Sequence, residues 1–305
     1  MNWINWFLIG FTIVSCLSVA VLTNCFRVKK LYLYNWWKKN YYINTKYLIN
    51  LLISIGYLAY FISLRYSKDV EQFIAHKDLI YSDPFNLYDE LLYFRSFRIS
   101  KVFLLDWCPC FSVIISLFAI FDYKQKYVNL MGLIGFCFGF ITLIGGLIGQ
   151  ERIEVDQFWT YVTVGVGLNQ IYFGLHFYLC IFGLYLFSNL RRFDVANISL
   201  FHAVLISFMI YVPISVHFWK VTNNASGYVM GDWIPLQGSL AQFEIVGKII
   251  NQHFIINAFV MFLWMYLAFV AGFFAKLYIL KTINKKDQKS YSIPFVDHKI
   301  AKIIF

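Results

Sequence analysis

Charge is what this 305-residue chain has least of. Only 14% of its residues are charged, against roughly 25% in soluble domains. Its apolar runs also continue past about 18 residues, a length that soluble chains interrupt. Both absences exclude an ordinary soluble fold. No framework of paired extracellular cysteines is visible, because the six cysteines fall almost wholly inside apolar blocks; disulfides are not expected to hold the fold. No phosphate-binding glycine motif is present. Cys108-x-Cys110 is tighter than the usual C-x₂-C knuckle and the histidines lack an H-x₃-H partner, so neither metal nor cofactor is expected. The formal net charge of +10 rides on no basic stripe of a soluble fold, which argues against nucleic acid as a partner.

What is present is hydrophobic length. Hydrophobic residues make up 60% of the chain and mean hydropathy is +0.63. Seven blocks are long enough to cross a hydrocarbon core of about 30 Å: Trp3–Phe26, Tyr47–Leu64, Phe103–Phe121, Tyr127–Ile148, Leu168–Leu190, Ile198–Phe218 and Phe254–Leu280. Phe158–Gly167 either extends the fifth block or lies at the interface. The blocks are continuous rather than alternating with period two, which excludes a strand barrel and leaves helices. The expected fold is therefore an all-α polytopic transmembrane helix bundle.

Loop charge orients it. The first loop carries Arg27, Lys29, Lys30, Lys38, Lys39 and Lys46 with no acidic residue, and the tail after Leu280 is also basic. The loop between the fourth and fifth blocks is acidic instead, through Glu151, Glu154 and Asp156. By the positive-inside rule the N-terminus is outside and the C-terminus cytoplasmic. Residues 1–280 read as one transmembrane domain with an external amphipathic segment at 66–102. Residues 281–305 read as a basic cytoplasmic tail. The first block lacks a basic n-region and so does not read as a cleaved signal. The expected location is a cell membrane, that of a bacterium, crossed several times. The expected partners are membrane lipid and, at the cytoplasmic face, anionic headgroups; the sequence names no protein partner.

Polar side chains inside spans are costly, so each needs an account. Counted from the outer ends of their helices, Asp106 and Cys108 lie about 5 and 8 Å deep, and His176 about 8 Å deep. Asn169 and Gln170 fall at the rim of the same helix as His176. Tyr211, His217, His253 and Asn257 arrive at the same level on the last two spans. His217 and His253 are readable as interfacial residues wetted by headgroups, and Cys108 as a small packing residue. His176, well inside its span, resists so bland an account.

Cys108 and His176 together carry chemistry. A cysteine is a strong nucleophile as thiolate, and a neighbouring imidazole is the usual means of making one. Pro109 cannot donate to Leu105, so the helix either begins or bends there. If it begins there, the positive helix end acts on Cys108. Asp106 lies about 200° around the helix from Cys108, on the side of Cys110, which makes it a poor third member of a triad.

Four stretches resemble the YwaF-like integral membrane proteins, which include animal membrane phospholipid acyltransferases. Phe103-Leu104-Leu105-Asp106-Trp107-Cys108 is similar to that family's L-P-L-H-L-C opening of a helix. The glycine-rich Gly132–Gly149 helix follows. Tyr172-Phe173-Gly174-Leu175-His176 is similar to its F-F-x-G-H segment. Gly227-Tyr228, within Asn223–Trp233, resembles an N-Y-M stretch. Two positions depart: Asp106 stands at the family's histidine and Gly227 at its asparagine. The resemblance implies a thiol-dependent phospholipid acyltransferase or lipase, with Cys108 as nucleophile and His176 as its base. The polar cluster of Asp106, Cys110, Asn169, Gln170, Tyr211, His217, Tyr228, His253 and Asn257 would support them. Two other classes stay open. One is a non-catalytic membrane subunit or scaffold, since no strong catalytic signature is present. The other is a transporter, which broken helices or midplane charged pairs would favour; the sequence makes neither legible. Lys276 is the only lysine in the seventh block and sits at its cytoplasmic end, which disfavours a retinal-type receptor.

Overall fold

Where side chains are apolar all round, backbone amides and carbonyls have nothing but one another to bond, and the chain coils into helices. The computed structural model describes residues 3–28, 45–82, 102–104, 107–149, 153–165, 171–190, 193–218, 263–276 and 278. Among them there is no β-strand. In chain order the helices are α1 (Trp3–Val28), α2 (Thr45–Phe61), a π-helical turn (Ile62–Tyr66) and α3 (Ser67–Ser82). Then come α4 (Trp107–Phe121), α5 (Val128–Gly149), the short α6 (Phe158–Thr163), α7 (Tyr172–Ser188) and α8 (Val195–Phe218). A last apolar helix, α9, covers Leu263–Lys276.

Among the described residues three stretches are long and apolar enough to cross a membrane: Trp3–Thr23, Lys46–Ala75 and Val128–Gly149. Trp107–Phe121, Tyr172–Ser188, Val195–Tyr211 and Leu263–Lys276 are shorter apolar helices. Three boundaries differ from those expected. The second block does not stop at Leu64 but runs on through the π turn into α3. The third begins at Trp107 rather than Phe103, because Leu104 adopts a left-handed backbone (φ 53°) that a helix cannot contain. The fifth begins at Tyr172, after Ile171, which is also left-handed at φ 51°. Phe158–Thr163 is a separate short helix, not an extension of α7. The external segment expected at 66–102 opens as helix α3, while most of it beyond Ser82 lies outside the described residues.

Helix α5 with α7 forms the centre of the bundle. Small residues let the two backbones approach closely, so that van der Waals contact is made along the pair. A Cβ added to Gly132 would meet the carbonyl oxygen of Gly183 at 2.5 Å and Leu186 Cβ at 2.7 Å. A Cβ on Gly139 would press on the Cys180 backbone and on His176 O, the latter at 2.8 Å. The glycines of α5 expected to form a packing surface do so at these positions; Gly149, by contrast, faces open space. Helix α4 closes one side of the pair with a cluster of rings. Trp107 and Phe111 pack on Phe138 of α5 and Phe208 of α8. Helix α1 lies against the other side, where the Cys16 and Cys180 sulfurs come within 3.4 Å.

Polar contacts set the register. Asn5 Nδ2 donates to Leu147 O at 2.7 Å, fixing the start of α1 beside the end of α5. Tyr211 donates to Phe103 O at 2.5 Å, bringing the end of α8 to the approach to α4. At the opposite end of the bundle Lys276 Nζ donates to Ser188 O at 2.6 Å, tying α9 to the last turn of α7.

Candidate functional site

Cys108 is the second residue of α4, so its thiol sits in the first turn, where backbone N–H groups lack intrahelical partners. Pro109 follows it at no cost there, since its missing N–H would be unpartnered anyway. The side chain is buried, and its sulfur lies 3.6 Å from Thr142 Oγ1 on α5. Tyr172, the first residue of α7, donates its hydroxyl to Thr142 O at 2.7 Å. One turn on, His176 places its ring 4.4 Å from that of Tyr172. Cys108 and His176, 68 positions apart in the sequence, are linked through two intermediates: Cys108 touches Thr142, Thr142 O accepts from Tyr172, and Tyr172 lies against His176.

His176 is buried, and its Nδ1 lies 2.7 Å from Tyr172 O. A carbonyl oxygen only accepts, so a neutral ring donates its Nδ1–H here and carries its lone pair on Nε2. That tautomer is the one a general base needs. The left-handed Ile171 sits immediately before this helix and is fully buried. A β-branched residue adopts that conformation at a cost of roughly 1–2 kcal/mol, so the surrounding packing holds the start of α7 in place.

Where α1 meets α7, an apolar cleft of about 550 Å³ lies between the first turns of α1 and helix α6. Phe173, next to Tyr172, forms part of its floor, and Trp3 and Trp159 stand at its rim, both largely exposed. Its volume is within the range of small-molecule sites.

The remaining sequence candidates separate. Cys110 is buried in the same first turn of α4 as Cys108. Tyr211 is half-exposed and reaches Phe103 at this end of the bundle. Asp106, Asn169, Gln170, Tyr228, His253 and Asn257, with the side chain of His217, lie outside the described residues. Two members of the cluster escaped sequence reasoning, Thr142 and Tyr172. A threonine in a glycine-rich span and a tyrosine in an aromatic-rich chain carry no signal of their own. Their value comes from being opposite each other where α5 and α7 pack. Among the described residues no group of three or more metal-binding side chains converges.

The profile of a family of unknown function, DUF5378, matches residues 13–302. This chain belongs to that family. Two curated relatives are the uncharacterized protein MG135 of Mycoplasma genitalium and its homolog in Mycoplasma pneumoniae. The first is 32% identical over 140 residues, covering 45% of this chain and 49% of the relative. The second is 31% identical over 141 residues, covering 46% of this chain and 49% of the relative. The matched region spans about half the length of both. No solved structure matches the chain.

Proposed function

We propose that this protein is a membrane-embedded acyltransferase or lipase that remodels phospholipid through Cys108 and His176. In this reading it crosses the cell membrane seven times, with its N-terminus outside, and the Cys108 end of the bundle faces the outer leaflet. The observation that supports it is a relay of contacts from the first-turn Cys108 through Thr142 and Tyr172 to the buried His176. The resemblance to the YwaF-like proteins falls on the same two residues. The apolar cleft beside Phe173 suits an acyl chain, and its tryptophan rim suits a headgroup boundary.

Chemically, His176 Nε2 takes the Cys108 proton, and the thiolate attacks the ester carbonyl of a phospholipid. The carbon–oxygen bond to glycerol breaks, and the leaving alkoxide takes the proton from the imidazolium. The acyl thioester then passes to a lysophospholipid hydroxyl, or to water, whose proton His176 accepts and returns to the sulfur. The test uses purified protein in liposomes with isotope-labelled phospholipid, followed by mass spectrometry. Cys108→Ala and His176→Ala are each expected to abolish label exchange, and wild type to yield an acyl adduct at Cys108. Wild-type exchange rates in both variants would sink the reading.

A further inference from the structure

Helix α2 and its continuation are built inside out. Between Lys46 and Ala75, the buried polar positions are Lys46, Asn50, Ser54, Tyr57, Arg65 and Asp69, and the one buried apolar residue is Phe61. The lipid-side positions are the greasy ones, among them Ile49, Leu52, Ile53, Ile55 and Ile62. Lys46 to Asp69 covers about 35 Å at 1.5 Å per residue, the full thickness of a hydrocarbon core of about 30 Å. Charge is confined to the ends of this face: Lys46 at one, and Arg65 with Asp69, 3.5 Å apart, at the other. Its middle is neutral and bears only amide and hydroxyl groups.

The opposing helices answer in kind. Tyr47 donates to Ile120 O of α4 at 2.7 Å, which sets α2 and α4 antiparallel. Ser112 and Ser116 of α4 are fully buried, and Ser116 bonds the hydroxyl of Tyr178 on α7 at 2.7 Å. The Tyr57 and Tyr178 rings stack at 3.6 Å. Ser54 faces Tyr178 and Tyr57 faces Ser112 as loose hydrogen-bonding pairs, but neither Ser54 Oγ nor the Tyr57 hydroxyl reaches full hydrogen-bond geometry among the described residues. Asn50 is fully buried, and neither Oδ1 nor Nδ2 has a partner among the described residues.

A buried polar group left unsatisfied costs about 1–3 kcal/mol, and polar atoms just out of mutual reach are commonly bridged by water. An amide, a serine and a tyrosine on one helical face present such atoms in a row. We propose that the core between α2, α4 and α7 binds a file of small neutral hydrogen-bonding molecules, water first, seated on Asn50, Ser54, Tyr57 and Ser112. The file occupies the neutral middle of the bundle, between the lysine end and the Arg65–Asp69 end. Nothing in it depends on Cys108 chemistry, and its test reads no acyl transfer.

X-ray radiolysis followed by mass spectrometry of the intact protein in micelles is the test. Bound water generates hydroxyl radicals in place, so a buried side chain beside it is oxidised while a dry one is not. Tyr57 and Tyr178 are expected to be oxidised several-fold faster than Phe111, a fully buried ring on α4. Asn50→Leu should reduce that labelling towards the Phe111 level. Ser54→Val provides the same comparison should Asn50→Leu fail to fold. Labelling at the Phe111 level in wild type overturns the proposal, and so does labelling that the variants leave unchanged.

Discussion

Replacing Gly183 by alanine should force α5 and α7 apart. A Cβ built there lies 2.5 Å from Phe136 N and 2.6 Å from Gly132 O, whereas ordinary contact begins at 3.4 Å. Both obstacles are backbone, so no side chain can swing away and the helices must separate by about 0.9 Å. Overpacking of this kind costs about 1–3 kcal/mol, and rigid obstacles place it in the upper part of that range. Alanine returns up to about 1 kcal/mol of helix propensity over glycine, leaving a net loss of about 1–2 kcal/mol. Gly56→Ala is the internal control, since nothing lies within 4 Å of a Cβ there. It should gain up to about 1 kcal/mol from propensity alone. Thermal unfolding of both variants in the same detergent would show melting temperatures moving in opposite directions. If they shift together, the α5–α7 contact does not have the closeness described.

Two other perturbations test the polar ties. Asp69→Leu removes the carboxylate beside buried Arg65 and should cost about 3–5 kcal/mol, while Arg65→Met with Asp69→Leu should recover most of it. A double variant as damaged as the single, by denaturant titration in micelles, would contradict this. Lys276→Met loses a charged hydrogen bond to Ser188 O worth about 1.5–3 kcal/mol. Its melting temperature should fall, and an unchanged one would mean that water replaces the bond.

The helical class and the apolar blocks were legible because long apolar runs leave the backbone one solution. Cys108 and His176 stood out as candidates because a cysteine before a proline and a histidine deep in an apolar block each demand a reason. Thr142 and Tyr172 were not, since nothing local distinguishes them. The starts of α4 and α7 were misplaced because hydropathy does not register a left-handed Leu104 or Ile171. The polar face of α2 was missed for a different reason. Its residues are diluted by isoleucines and leucines, so average hydropathy stays high and the polar stripe leaves no dip in it.

The π turn at Ile62–Tyr66 has a bearing on how this face is kept whole. Buried positions follow one another by four, four, three, four, four and four residues from Lys46 to Asp69, a longer stride than the 3.6 of an α-helix. An uninterrupted α-helix would drift around its axis and carry Arg65 and Asp69 out of the bundle's interior. The wider turn absorbs that drift, much as a leap day returns a calendar to the season. Shortening the segment by one residue would rotate everything beyond it by about 100°, turning the charged pair to the bundle's outer, apolar face while every side chain before the cut stayed where it was.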